Sequence, residues 1–202
     1  QQVGSQLQVE VEIFNDQTGH SVPTGVTLRN MILRITASDS VGNSLVQISG
    51  DTIHDLGGIG DPTLGNFAGL PGKLFAKINQ DAAGNQGIVF TEATSISSDN
   101  RIIALSTDTT SVSFDVSGLN DDVTVQSRLI YRRAPKYMVD AKNWTIGGLG
   151  DPLPDAQAPD YGFLMESDSA TISPPSVTSS MSSSISDWQM PSSPPASMHS
   201  YM

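Results

Sequence analysis

The chain has 202 residues, of which 10 are basic and 21 acidic, giving a formal net charge of −11. This length accommodates one good hydrophobic core with an appendage, and the acidic balance disfavours nucleic acid partners, because phosphate binding needs clustered Lys and Arg. The sequence contains no cysteine, which excludes disulfides, thiolate metal sites and covalently attached haem within these residues.

The first apolar segment alternates with a period of two. Leu7, Val9, Val11 and Ile13 are separated by polar or outward-facing residues, as in a strand with one buried face. Similar segments follow, with turns about every 8–12 residues, and together they predict an all-β, antiparallel, immunoglobulin-like β-sandwich. The predicted strands cover residues 7–14, 30–37, 44–49, 73–78, 87–92, 100–105, 111–116 and 123–132.

Two short segments, residues 39–43 and 81–85, share the pattern Asp-x-x-Gly-Asn. An aspartate can accept hydrogen bonds from the backbone ahead of it and glycine accepts a positive φ, so both segments are predicted turns. The first turn predicts a β-hairpin over residues 30–49. Further along, the helical spacing of Tyr137, Met138, Ala141 and Trp144 after Pro135 predicts a short helix.

The composition changes after residue 144, where Pro and Ser become dense. We therefore expect a sandwich domain over residues 1–144 and an extended arm over residues 145–202, too poor in apolar residues to form a core of its own. Such an arm orders by docking on a protein partner or on a sibling copy of the chain. Its expected partner-binding anchors are Trp188, Met190, Met198 and Tyr201.

The segment 15–25, Asn-Asp-Gln-Thr-Gly-His-Ser-Val-Pro-Thr-Gly, connects the first two predicted strands and contains His20, one of three histidines. Two glycines and a proline restrict it to a shaped corner of the sandwich. A neutral imidazole can ligate a metal or haem iron. The alternative is a histidine that ties backbone carbonyls of the loop together, and the residues themselves favour this structural role.

Other candidate sites are weaker. His54 is expected to be a surface loop residue. Asp51, Asp55 and Asp61 could supply oxygen ligands to Ca²⁺. They do not have the spacing of an EF-hand, so a solvated acidic loop is favoured. Residues 50–72 are rich in glycine and could form a recognition surface. No Gly-x-Ser-x-Gly elbow is present, and we do not expect an enzyme.

The Thr18-Gly19-His20-x-x-Pro23-Thr24-Gly25 motif resembles that of a known family, the haem-free β-sandwich domain of extracytoplasmic multihaem c-type cytochromes. Collinear segments extend the resemblance over about residues 7–144: 71–77, 99–102, 128–134 and 142–144. In that family the domain usually follows Cys-x-x-Cys-His haem sites, which this sequence lacks.

The resemblance implies a non-catalytic accessory subunit of a cytochrome-containing electron-transfer assembly, in the periplasm or outside the cell. Its partners would be a c-type cytochrome or sibling subunits, and His20 could contact a haem held by another chain. The alternative function is a secreted adhesion or carbohydrate-binding module that uses residues 50–72. No leader sequence is evident, so we expect either a processed protein or numbering that begins inside a longer precursor.

Overall fold

The computed structural model describes residues 5–173 and 179–184, which form two β-sheets. One sheet has four strands, in the order β3 (Gln47–Gly50), β6 (Thr107–Asp115), β1 (Gln6–Phe14) and β9 (Ser179–Ser184). The other has five, in the order β5 (Ser95–Asp99), β4 (Gly72–Gln80), β2 (Asn30–Ser38), β7 (Val123–Arg132) and β8 (Phe163–Ile172). Only the β1–β9 pair among these is parallel. The predicted β-sandwich is confirmed.

A short α-helix, α1 (Lys136–Ala141), follows β7 directly. The helical spacing of Tyr137, Met138 and Ala141 predicted this helix, and Met138 is its buried residue. Within the described ranges, no helix combines the length and hydropathy that crossing a membrane requires.

The main core lies between the sheets and follows the period-two pattern of the strands. In β1, Leu7, Val9, Val11 and Ile13 are at most 4% exposed, as their alternation predicted. The facing sheet contributes Met31, Leu33, Ile35, Phe75, Val125 and Leu129. Strand alternation therefore determines which residues enter this core.

A second, smaller core covers the outer face of the five-stranded sheet. Ile32 and Ile130 point away from the main core and are fully buried. Residues 51–71, between β3 and β4, pack over them and contribute Ile53 and Phe67. The glycine-rich segment is thus a third layer of the fold. At its end Gly72, with φ +135°, is required because a Cβ there would lie 1.9 Å from the Leu33 carbonyl oxygen.

The predicted hairpin over residues 30–49 is wrong. The Asp39–Asn43 turn forms, but only Ser38 and Ser44 bridge beyond it, and β3 then pairs with β6 in the other sheet. The reason is that β2 already pairs with β7 along its whole length and with β4 over residues 30–34, which leaves only its last residues open on one side. Residues 87–92 and 100–105 are also not strands. The edge strand β5 lies between them, and Ile102 instead forms an isolated bridge with Val22.

Residues 145–202 were predicted to be an extended arm, but two described parts of this segment are strands of the sandwich, β8 and β9. β8 pairs with β7 along its length, and its Phe163, Met165, Ala170 and Ile172 pack against the main core. β9 pairs with β1. The Pro and Ser content of this region masked the alternation of these apolar residues. The four predicted anchors Trp188, Met190, Met198 and Tyr201 lie outside the described residues.

Candidate functional site

Asn15 organises the loop that carries His20. It directly follows β1, is fully buried, and its Nδ2 donates to the carbonyl oxygens of His20, at 2.9 Å, and Ile102, at 3.0 Å. Its backbone N–H donates to the Ser106 carbonyl, and its own carbonyl accepts from the Leu105 N–H at 2.8 Å. The side chain and the backbone of Asn15 therefore join the loop to residues 102–106.

Two further contacts complete this arrangement. The Thr18 hydroxyl lies within hydrogen-bond distance of Asn15 Oδ1 and of the His20 carbonyl oxygen. Val22 and Ile102 exchange two backbone hydrogen bonds of 2.9 Å each, and Pro23 beyond them is buried. The hydrogen bonds of Asn15, Thr18 and the Val22–Ile102 pair therefore fix the backbone of the loop on both sides of His20.

The His20 imidazole itself is exposed. Its Nδ1 lies 3.2 Å from the neighbouring Ser21 carbonyl oxygen, and no other hydrogen bond reaches the ring from the described residues. The sequence predicted that this histidine could tie carbonyls of the loop together. In the structure Asn15 and Thr18 do so, and the outer part of the imidazole faces solvent.

Three exposed apolar side chains belong to residues that adjoin this loop or its backbone contacts. Phe14 is 39% exposed, Ile103 66% and Leu105 73%. All three are joined to the loop through the backbone of Asn15 and of the Val22–Ile102 bridge. Leu105 has φ +57°, a left-handed conformation that a bulky residue adopts only where its surroundings fix it. We call residues 14–25 together with Ile103 and Leu105 the His20 end.

The segment 51–71 is held against the sheet by Phe67 and Arg132. Two guanidinium groups lie over the Phe67 ring: that of Arg34 is 4.2 Å from the ring centre and that of Arg132 is 4.7 Å from it. Arg132 is 3% exposed and donates to the carbonyl oxygens of Gly57 and Gly65, both at 2.9 Å. Burial lowers the pKa of Arg132 to about 10. The interior of this segment is thus an architectural layer.

The candidate ligands of this segment are used in local turns. His54 Nδ1 accepts from the Leu56 N–H at 3.1 Å, and Asp61 Oδ1 accepts from the Thr63 N–H at 2.8 Å, so both cap short 3-10 helices. Asp51 Oδ2 accepts from the Ser111 N–H on β6. The described residues contain no group of three His, Asp or Glu side chains placed to hold a metal ion.

The basic residues near the end of β7 pair with aspartates of the following segment. Arg128 makes a two-pronged contact with Asp160, at 3.0 and 2.7 Å. Arg133 Nε lies 2.7 Å from Asp155 Oδ2, and burial raises the pKa of that carboxyl group. A cavity of about 20 Å³ beside this pair has room for one water molecule. These ion pairs hold residues 153–162 on the sandwich.

The sequence pattern singled out the His20 loop but assigned no role to two asparagines that hold the surrounding structure, Asn15 in the loop and Asn100 after β5. Asn15 was part of the motif without a role, and the signal was an amide residue placed where a buried strand ends. Asn100 was equally unassigned. Its side chain accepts from the Ala76 N–H at 2.9 Å and donates to the Leu74 carbonyl, which fixes the chain next to β4.

No protein-family model and no curated protein matches the sequence. Among solved structures, the chain is similar to the penta-haem cytochrome c552 from Thermochromatium tepidum, with a TM-score of 0.50 and 22% sequence identity. The match covers 76% of this chain and 33% of that one, so this chain spans about a third of the length of the structure that it matches. At this identity the likeness is one of fold.

Proposed function

We propose that this chain is a non-catalytic, haem-free β-sandwich unit of a cytochrome-containing electron-transfer assembly, located in the periplasm or outside the cell. Its role is to position or shield a c-type cytochrome partner. The His20 end is the contact surface for that partner, and the haem belongs to the partner, because this chain has no cysteine to attach one covalently.

The exposed His20 on a rigid loop carries this proposal. Asn15 fixes the backbone on both sides of His20, so the imidazole is presented without a large ordering cost on binding. Phe14, Ile103 and Leu105 add exposed apolar surface to the His20 end, and apolar residues are typical of an interface centre. A solvent-facing imidazole beside apolar side chains suits contact with the edge of a haem.

The fold supports the same proposal independently of the loop. A sandwich similar to this one occupies part of a penta-haem cytochrome chain, where it accompanies haem groups in one protein. The Thr18–Gly25 motif resembles the haem-free domain of such cytochromes. In this chain the haem-bearing part would be supplied by a partner.

The first experiment is purification of the chain from its native source under mild conditions, followed by absorbance spectroscopy. We expect haem absorbance to co-purify in a fixed ratio to this chain. A haem-free monomer obtained under several gentle extraction conditions contradicts the proposal.

Histidine variants test the contact surface. With the cytochrome partner from that preparation, His20→Ala should weaken association at least tenfold, and the haem spectrum should shift if His20 reaches the iron. His54→Ala is the matched control, because it removes the other described histidine, which belongs to the segment 51–71 and not to the His20 end. Equal affinity of both variants and the parent chain would exclude the His20 end as the interface.

A further inference from the structure

Three of the four sheet edges carry features that prevent edge-to-edge pairing. β3 has four residues and β5 has five, and both are interrupted by a register shift. β8 is longer, but it also contains a register shift, and Glu166 and Asp168 stand opposite the inward positions Leu129 and Ser127. Short length, bulges and inward charges are the usual protections of exposed strands.

The fourth edge strand is β9, which covers one side of β1. β1 runs for nine residues in unbroken register with β6, so its other side is a regular row of backbone donors and acceptors. β9 covers six of these positions, from Val9 opposite Ser179 to Phe14 opposite Ser184. The sequence of β9, Ser-Ser-Met-Ser-Ser-Ser, has no apolar alternation that would anchor it to the core. The pairing of β9 with β1 is therefore weakly specified by the sequence of β9.

The outward face of β1 is self-complementary. Gln6, Gln8, Glu10 and Glu12 follow one another at alternate positions. If two copies of β1 paired antiparallel about a two-fold axis through Val9, Gln8 would stand opposite Glu10 and Gln6 opposite Glu12. Each carboxylate would then face an amide donor and no carboxylate would face another, which is the favourable arrangement for directly opposed residues.

We propose that the β1 edge is a self-association surface of this chain, that its partner is β1 of a second copy, and that β9 blocks it. Once β9 is displaced, isologous pairing about Val9 would join the two remaining three-stranded sheets, β3-β6-β1, into one of six strands, with Val9 opposite Val9 and Leu7 opposite Val11 on the buried side. In the resting chain β9 is tethered to the same molecule and occupies the edge at high effective concentration. Displacement of β9 converts the monomer into a dimer through β1.

The test uses the full chain with β9 repelled by charge. Ser180 and Ser182 stand opposite Glu10 and Glu12, so the double variant Ser180→Asp/Ser182→Asp places like charges across the β1–β9 pair. We expect this variant to dimerise in sedimentation velocity at concentrations where the parent chain is a monomer. Ser180→Asn/Ser182→Asn is the uncharged control of similar size and should remain monomeric.

A second variant disrupts the same pairing through the backbone. Successive N–H groups of a strand point to opposite sides, so Met181→Pro/Ser182→Pro removes at least one donor from the β1–β9 ladder. It should dimerise in the same way. Circular dichroism shows whether each variant retains the sandwich. If either folded variant remains monomeric while proteolysis shows that β9 is released, the proposal is overturned.

The register is tested by thiol cross-linking, since the chain has no cysteine of its own. In the dimerising background, an equimolar mixture of Gln8→Cys and Glu10→Cys chains should form a disulfide-linked heterodimer faster than either chain alone. Gln8→Glu should weaken the dimer at least tenfold, because it faces Glu10 of the second copy. Ser113→Glu, which adds the same charge one strand away from the edge, should weaken it much less. Equal effects of the two substitutions would contradict pairing about Val9.

Discussion

At the scale of single residues, the amide side chains of buried Asn15 and exposed Asn100 join segments of the chain around the candidate site. Asn15 and Asn100 each satisfy backbone groups that belong to other segments: Asn15 joins the His20 loop to residues 102–106, and Asn100 joins its own segment to β4. A buried carbonyl that loses its donor costs more than an average hydrogen bond contributes. Both asparagines therefore contribute to the stability of the fold.

Asn15→Ala tests this role. The substitution removes donors to the His20 and Ile102 carbonyls, which retain one other partner each, so we expect a loss of about 1–3 kcal/mol in the free energy of unfolding. Urea denaturation measures it. Gln17→Ala, an exposed residue of the same loop, is the control and should change stability by less than about 0.5 kcal/mol. Similar values for both variants would show that Asn15 does not anchor the loop.

At the scale of elements, the unexpected feature is the layer formed by residues 51–71. Phe67 is fully buried, and its ring contacts two guanidinium groups, one from β2 and one from β7. Guanidinium groups attract the face of an aromatic ring, more strongly where water is excluded. The glycines give this segment the positive φ angles that it needs to turn, and Phe67 fixes it on the sheet.

Phe67→Ala is expected to lower the free energy of unfolding by about 3–5 kcal/mol, because it leaves a cavity and ends both ring–guanidinium contacts. Limited proteolysis should then cut within residues 51–71 of the folded variant. Phe67→Leu keeps most of the apolar volume but loses the ring, and its stability should lie between those of the parent and Phe67→Ala. Ile59→Ala, at a 76% exposed position of the same segment, should behave like the parent. A protease-resistant Phe67→Ala variant would contradict the anchoring role.

At the scale of the whole molecule, the charges are distributed unequally between the sheets. The four-stranded sheet contains no Lys or Arg and has four acidic residues in its strands. Five cations elsewhere in the described residues form ion pairs with aspartates. Hydrogen bonds within their own turns lower the pKa of four aspartates, Asp39, Asp61, Asp81 and Asp115. A hydrogen bond from the Arg101 side chain lowers the pKa of Asp99.

These lowered pKa values predict acid sensitivity. Below about pH 4 the unfolded chain binds protons at these aspartates before the folded chain does, so stability falls as the pH decreases. Asp155 acts in the opposite direction because burial raises its pKa, but it is a single group. We expect Asp39→Asn/Asp81→Asn to be less stable than the parent at neutral pH and to lose less stability on acidification.

Thermal unfolding at a series of pH values between neutrality and acid measures this difference. Asp151→Asn, a change at an exposed aspartate outside the two turns, provides the control. Parallel stability curves for the double variant and the parent would show that the two turns do not contribute to the acid response.

The sequence by itself determined the features that depend on neighbouring residues. Period-two alternation identified the buried face of β1, β2 and β7, and the Asp-x-x-Gly-Asn pattern predicted two turns, in which Asp39 and Asp81 accept from the backbone N–H groups of Asn43 and Asn85. The apolar spacing after Pro135 predicted α1. Each of these features follows from the pattern of residue types over a few neighbouring positions.

Only the tertiary structure decided which elements meet. Alternation shows that a face is buried but does not name the strand that buries it, so the pairing of β3 with β6 and of β8 with β7 could not be deduced. The same limit applies to the candidate site. The motif marked His20, but its fixed position depends on the contact of Asn15 with Ile102, 87 residues away in sequence. Such long-range contacts are selected by the free energy of the whole packed molecule, which no local pattern contains.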